Sequence, residues 1–133
     1  MKFGVNQVGI VVEDLDRARK ACIQFFGEES LPPLEFETGG ARLKLAFFQA
    51  GEIQLELIQV LEGETIHSKF LKEKGEGLHH LGYFVEDLEK SLLLLEKEGI
   101  KVLWKGEVPG AAKFAYLDTE KMLGIVLELI QLG

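Results

Sequence analysis

An internal repeat constrains the fold of this chain of 133 residues more strongly than any other feature of its sequence. The segment NQVGIVVEDL near the start recurs as HHLGYFVEDL past the middle of the chain, which aligns Gln7 with His80. A second segment, LELIQ, occurs at residues 55–59 and again at residues 127–131. Similarity at a regular spacing is typical of one structural unit that occurs twice. The sequence therefore predicts two equivalent modules.

Each module is predicted to begin with a strand that leads into a helix. β-Branched and aromatic residues dominate residues 8–12 and 81–85, as in buried strands. An aspartate can cap each helix and a glycine can end it: Asp14 and Gly27 in the first module, Asp87 and Gly99 in the second. Helical spacing predicts that one face of the first helix carries an apolar stripe, made of Leu15, Ala18, Cys22 and Phe25.

The rest of each module is predicted to be strands, at residues 41–49, 53–60, 101–106, 113–118 and 125–132. Pro32, Pro33, Gly39 and Gly40 punctuate the first module. Between the modules, a short amphipathic helix through Ile66, Phe70 and Leu71 should end at Gly75, and we expect His67 on this helix to be exposed to solvent. The chain is thus predicted to be a single α+β domain over residues 1–133. It contains two tandem βαβββ modules, at about 5–60 and 78–131, joined by a connector at 61–77, and its curved mixed sheet surrounds a cavity.

Composition excludes several classes of function. The net charge of -7 and the absence of a Lys/Arg cluster disfavour nucleic acid as a partner. No apolar run is long enough to cross a bilayer, and the start of the chain lacks the pattern of a signal peptide, so we expect a cytoplasmic protein without a membrane partner. The single cysteine, Cys22, cannot form a disulfide framework or a thiolate metal site and is expected to pack in the core.

Four polar residues occupy equivalent positions in the two predicted strand pairs: Gln7 and His80 in the first strands, Glu56 and Glu128 in the last. Because strand side chains alternate between faces, the leucines on either side of each glutamate should point away from it, and the glutamates should face the cavity. A buried carboxylate needs a cation, and three oxygen ligands with one imidazole suit a divalent first-row metal. His79 should face the opposite way. Two alternatives stay open: edge strands in solvent would also accommodate the two glutamates, and a lost metal site would also explain Gln7.

The repeated VEDL and ELI segments resemble those of the vicinal oxygen chelate superfamily, which includes glyoxalase I, methylmalonyl-CoA epimerase, extradiol dioxygenases and bleomycin resistance proteins. The resemblance extends from Gln7 to Gln131. It implies that Gln7, Glu56, His80 and Glu128 bind one divalent ion, such as Co, Mn, Ni, Zn or Fe, which makes the cavity a metal-binding one. It also implies a homodimer.

Within the superfamily the chain is most similar to methylmalonyl-CoA epimerases, on the segment that includes GEGLHH. It departs from them at residues 117–119, where Leu-Asp-Thr replaces a His-Pro-Lys run, and in the strand ARLKLAFF, which carries no second acid. The resemblance implies a metal-dependent epimerase that abstracts a proton next to a carbonyl through a metal-stabilised enolate, with Glu128 as base and Glu56 as second base. The implied substrate is an acyl-CoA, another thioester or a 2-oxo compound. The alternatives are a lactoylglutathione lyase like glyoxalase I, with Arg17, Arg19 or Arg42 as candidate substrate contacts, and a metal-free protein that binds small molecules or drugs.

Overall fold

The computed structural model describes all residues 1–133, with eight strands and four helices in two compact units. We call residues Gln7–His79 the first module, and Met1–Asn6 together with His80–Gly133 the second module. None of the helices is long and apolar enough to cross a membrane.

The first module follows the predicted strand, helix and three-strand order. Its strands lie in the order β2-β3-β4-β1, with β1 parallel to β4 and the other neighbours antiparallel. A connector helix, α2, follows the last strand. The elements are β1 (Gln7–Val11), α1 (Leu15–Phe26), β2 (Leu31–Thr38), β3 (Ala41–Ala50), β4 (Ile53–Glu62) and α2 (Ile66–Lys74).

The second module repeats this arrangement, with its strands in the order β5-β8-β7-β6 and with β5 parallel to β8. Its first strand begins three residues before the module boundary, so β5 continues out of the first module. The elements are β5 (Gly77–Phe84), α3 (Leu88–Lys97), β6 (Val102–Val108), β7 (Ala112–Leu117), α4 (Glu120–Leu123) and β8 (Val126–Leu132). The predicted α+β class and the two βαβββ modules are confirmed.

In each module, one face of the sheet packs against the helix that follows the first strand. Under α1, the buried core includes Leu55 and Leu57, the residues on either side of Glu56. Under α3, it includes Leu129, with Leu127 partly buried against it. The predicted alternation is therefore confirmed, and it directs Glu56 and Glu128 to the faces away from their helices.

The helices α1 and α3 begin where the repeat predicts. In each module, an aspartate and a glutamine at equivalent positions accept hydrogen bonds from the first turn of the helix. The Asp14 carboxylate accepts a hydrogen bond from the Arg17 amide, and Asp87 accepts one from Lys90. The Gln59 side chain accepts a hydrogen bond from the Leu15 amide at 2.9 Å, and Gln131 accepts one from Leu88 at 2.9 Å. The last residue of LELIQ therefore binds the start of the helix in both modules.

Removing one of these caps should have a small, measurable effect. We expect Asp87→Ala to lower the free energy of unfolding by about 1 kcal/mol, because it leaves the Lys90 amide in the first turn of α3 without its acceptor. Asp87→Asn, which can still cap the helix, should stay close to wild type in the same denaturant titration. Equal losses in both variants would contradict the capping role.

The first six residues belong to the second module, although they precede the first in sequence. The Asn6 amide donates to the Gly82 carbonyl at 2.9 Å, and the Asn6 side chain accepts a hydrogen bond from the Phe84 amide at 3.0 Å. The Phe3 ring packs on Tyr83 with centroids 5.2 Å apart. This segment therefore supports β5, the strand that carries His80.

Two sequence predictions about side-chain exposure are wrong. Phe25 is 78% exposed. It lies in the last turn of α1, and at 3.6 residues per turn its side chain points about 80° away from Leu15 around the helix axis. His67 is buried, not exposed, since it lies three residues before Phe70 on the inward side of α2. Cys22 is partly buried against the core under α1, and burial raises the pKa of its thiol.

Candidate metal centre

In the second module, a buried histidine and a buried glutamate meet on neighbouring strands. The Nε2 atom of His80 on β5 lies 3.1 Å from Oε1 of Glu128 on β8. Their exposed fractions are 0% and 4%. Parallel pairing places Glu128 opposite Gly82, two residues along from His80 on the same face. Gly82 has no side chain, so the side chain of β5 that lies beside the Glu128 carboxylate is the imidazole of His80.

Aromatic rings surround this pair. Tyr116 lies directly opposite Glu128 in the ladder between β7 and β8, and its ring packs edge-on against His80 with centroids 5.1 Å apart. Trp104 stacks on Tyr116 at 5.8 Å, and Phe114 contacts both rings. The pair of ionisable groups therefore sits beside an apolar wall, where electrostatic interactions are stronger than in water.

In the first module, Gln7 and Glu56 have the same relation in the sheet as His80 and Glu128. Gln7 on β1 pairs with Gln54, and Gly9 pairs with Glu56 on β4. Both side chains are buried, with exposed fractions of 3% and 7%. Nε2 of Gln7 donates a hydrogen bond to Oε1 of Gln54 at 2.8 Å, whereas Oε1 of Gln7 is buried without a hydrogen-bond partner.

The edge-strand interpretation of the two glutamates is wrong. Strand β4 lies between β3 and β1, and β8 lies between β7 and β5, so neither is an edge strand. Both carboxylates are buried. Within each module, the structure thus brings the two predicted residues to one face of adjacent central strands.

The first module also contains two buried histidines, His67 and His79. The sequence analysis expected His67 in solvent and His79 on the face opposite to His80, and it assigned neither to a site. The rings of His67 and His79 are 5.0 Å apart, and His79 also packs against Phe70. Helical spacing from Phe70 to His67 was the signal that could have placed His67 inside.

Comparison with known proteins identifies the fold family. A family model described as the glyoxalase/bleomycin resistance protein/dioxygenase superfamily matches residues 6–116. The chain belongs to this superfamily. The resemblance stated from the VEDL and ELI segments is therefore confirmed.

Several relatives of the chain are named as epimerases. The chain is 29% identical to the ethylmalonyl-CoA/methylmalonyl-CoA epimerase of Cereibacter sphaeroides, over 96% of both chains. It is also 29% identical to the uncharacterised protein YqjC of Bacillus subtilis, over 96% of this chain and 91% of that one. A structure of Streptomyces coelicolor methylmalonyl-CoA epimerase in complex with 2-nitronate-propionyl-CoA has a TM-score of 0.81 at 20% identity, over 98% of this chain and 95% of that one. This last similarity shows the fold.

The three arginines considered as substrate contacts are all engaged in ion pairs. Arg17 pairs with Glu76, and Arg42 pairs with Glu62 at 2.8 Å. Arg19 binds Glu29, whose hydrogen bond raises the pKa of the guanidinium. Each guanidinium is therefore partly neutralised by a carboxylate of this chain.

Proposed function

We propose that this member of the superfamily is a divalent-metal-dependent epimerase of acyl-CoA thioesters, which removes and returns a proton on the carbon next to the thioester carbonyl. One observation carries the proposal: a buried His80–Glu128 pair in one module, with Gln7 and Glu56 at the equivalent positions of the other. The name of the Cereibacter sphaeroides relative supports the reaction and the substrate class.

The four residues fit a divalent ion. Two buried carboxylates are costly without positive charge nearby, and within the second module Nε2 of His80 already lies 3.1 Å from Oε1 of Glu128. Oε1 of Gln7 is a buried acceptor without a donor, which a cation would satisfy. Oxygen ligands with one imidazole match the preference of first-row divalent ions. We therefore assign Gln7, Glu56, His80 and Glu128 as the proposed ligands.

When bound, the ion would supply a Lewis acid that polarises the thioester carbonyl. The protein's own groups would move the protons. Glu128 is the proposed base, because its carboxylate is buried and held by His80, and each carboxylate has a second oxygen that can accept a proton. Glu56 occupies the equivalent position in the other module and is the proposed second base. One glutamate would take the proton from the carbon, and the other, in its protonated form, would donate its own proton to the opposite face, which inverts the carbon.

Metal analysis of the purified protein tests the site. We expect about one divalent ion per chain in wild type and its loss in His80→Ala, because the variant lacks the only imidazole among the proposed ligands. His67→Ala is the matched control, because His67 is a buried histidine outside the proposed ligand set. Retention of the ion in His80→Ala, its loss in His67→Ala, or a wild-type protein that takes up no ion on reconstitution would contradict the assignment.

Isotope exchange tests the reaction. In deuterium oxide, the metal-loaded protein should incorporate deuterium at the carbon between the two carbonyl groups of methylmalonyl-CoA. Exchange must stop when the ion is removed. A loaded protein that leaves the substrate proton in place would contradict the proposed substrate class while leaving the metal site intact.

The homodimer is a proposal that rests on the resemblance, and the cytoplasmic location expected from the sequence is also a proposal. Sedimentation of the purified chain would measure its oligomeric state, and a mass of one chain would contradict the dimer.

A further inference from the structure

A glutamine side chain presents a problem of orientation to a metal ion. Its carbonyl oxygen can bind a cation, whereas its amide nitrogen carries two hydrogens and has no free lone pair. The two ends have nearly the same shape, so packing alone cannot select one of them. A metal site that uses glutamine needs a neighbour that can tell the two ends apart.

Gln7 has such a neighbour in Gln54. Nε2 of Gln7 donates to Oε1 of Gln54 at 2.8 Å, and the two residues lie directly opposite each other on β1 and β4. This bond engages the nitrogen and leaves Oε1 of Gln7 buried without a partner. We propose that Gln54 is a positioning residue, which holds the Gln7 amide with its oxygen directed to the metal. This inference rests on the proposed metal site.

The second module provides an internal comparison. The position opposite His80 on β8 is Val126, which corresponds to Gln54 in the repeat. The side chain of valine can neither accept nor donate a hydrogen bond. An imidazole has no amide group, so it does not present the oxygen-or-nitrogen ambiguity of a glutamine ligand. The polar partner therefore occurs only in the module whose first-strand ligand is an amide. This pairing also argues against Gln7 as the mark of a lost site.

The orientation has a physical cost if it is reversed. A rotated Gln7 amide would direct N–H groups at the cation, and Gln54 would have to rotate its own amide as well to donate to the Gln7 oxygen. Without Gln54, the buried Nε2 would lose its acceptor, and an unsatisfied buried donor destabilises the arrangement that presents it. Gln54 itself is only partly buried, so the sheet should tolerate its replacement.

Titration of the metal-free full chain with Co²⁺ in a calorimeter tests the inference. We expect Gln54→Leu to weaken Co²⁺ binding by about 10- to 100-fold, the usual effect of removing a group that orients a metal ligand. Gln54→Glu, which still accepts a hydrogen bond from Gln7, should bind Co²⁺ at least as tightly as wild type. In a Gln7→Ala background, Gln54→Leu should cause no further loss, because there is no amide left to orient.

The control is Gln49→Leu, which removes an exposed amide from the strand next to Gln54; the Gln49 amide bonds to the Gly51 carbonyl and not to the site. It should bind Co²⁺ like wild type. If Gln54→Leu bound Co²⁺ as tightly as the wild-type protein, or if it lost the same affinity with and without Gln7, the positioning role would be overturned. In either case, Co²⁺ binding by the wild-type protein would still support the metal site. Absence of Co²⁺ binding in wild type would overturn both proposals.

Discussion

Replacing Glu128 with glutamine is expected to lower the rate of deuterium exchange into methylmalonyl-CoA by about 10²- to 10⁴-fold, the usual contribution of a general base. The amide has the same shape as the carboxylate, and its oxygen can still bind a cation, as we propose for Gln7. It cannot accept a proton from carbon at neutral pH. The loss should therefore persist at saturating metal, which separates the role of Glu128 as base from its role as ligand.

Glu56→Gln is the matched variant, since the two glutamates occupy equivalent positions in the modules. If each glutamate serves one epimer of the substrate, Glu56→Gln should suppress exchange from the epimer that Glu128→Gln leaves active. Single epimers must be used for this measurement. An unchanged rate in Glu128→Gln with both epimers would remove Glu128 from the mechanism.

Metal removal is expected to have the second large effect, this time on stability. An ion that binds the native state and not the unfolded chain stabilises the protein by about 2.7 kcal/mol at 100 times its dissociation constant. For a chain of this length, removal by a chelator should lower the melting temperature by roughly 10 °C. The sign follows from the proposed ligands, because Glu56 and Glu128 stay buried in the native state after the ion has left.

His80→Ala provides the control for this measurement. Without a metal to lose, the variant should melt at the same temperature with and without chelator. A chelator that has no effect on wild type would contradict the metal site. The same shift in wild type and in His80→Ala would place the metal elsewhere in the chain.

The repeat predicted the modules, the caps and the burial of Glu56 and Glu128, because these features depend on local patterns that the chain contains twice. It could not predict β2 (Leu31–Thr38). Pro32 and Pro33 read as punctuation, yet β2 is at the end of the strand order in its module, and an edge strand tolerates residues without an amide hydrogen. The four-residue helix α4 is likewise too short to leave a periodic signal.

The sequence also could not identify Gln54 as a partner of Gln7. The two residues are far apart in the chain, and only the parallel register of β1 and β4 places them opposite each other. The repeat even hides the relation, since Val126 occupies the corresponding position in the second module. Gln54 and Val126 differ, and a search for repeated residues finds only the positions at which the two modules are alike.

The placement of the first six residues in the second module has a consequence for the history and the engineering of the chain. Duplication of a gene for one module would give two modules that fold independently. Here the first six residues of the chain pack in the second module, through contacts of Asn6 and Phe3 with β5. Separate expression of the two halves would leave β5 without this support. A bulky fusion partner at Met1 would disturb the contacts of Phe3 and Asn6 with β5, the strand that carries His80.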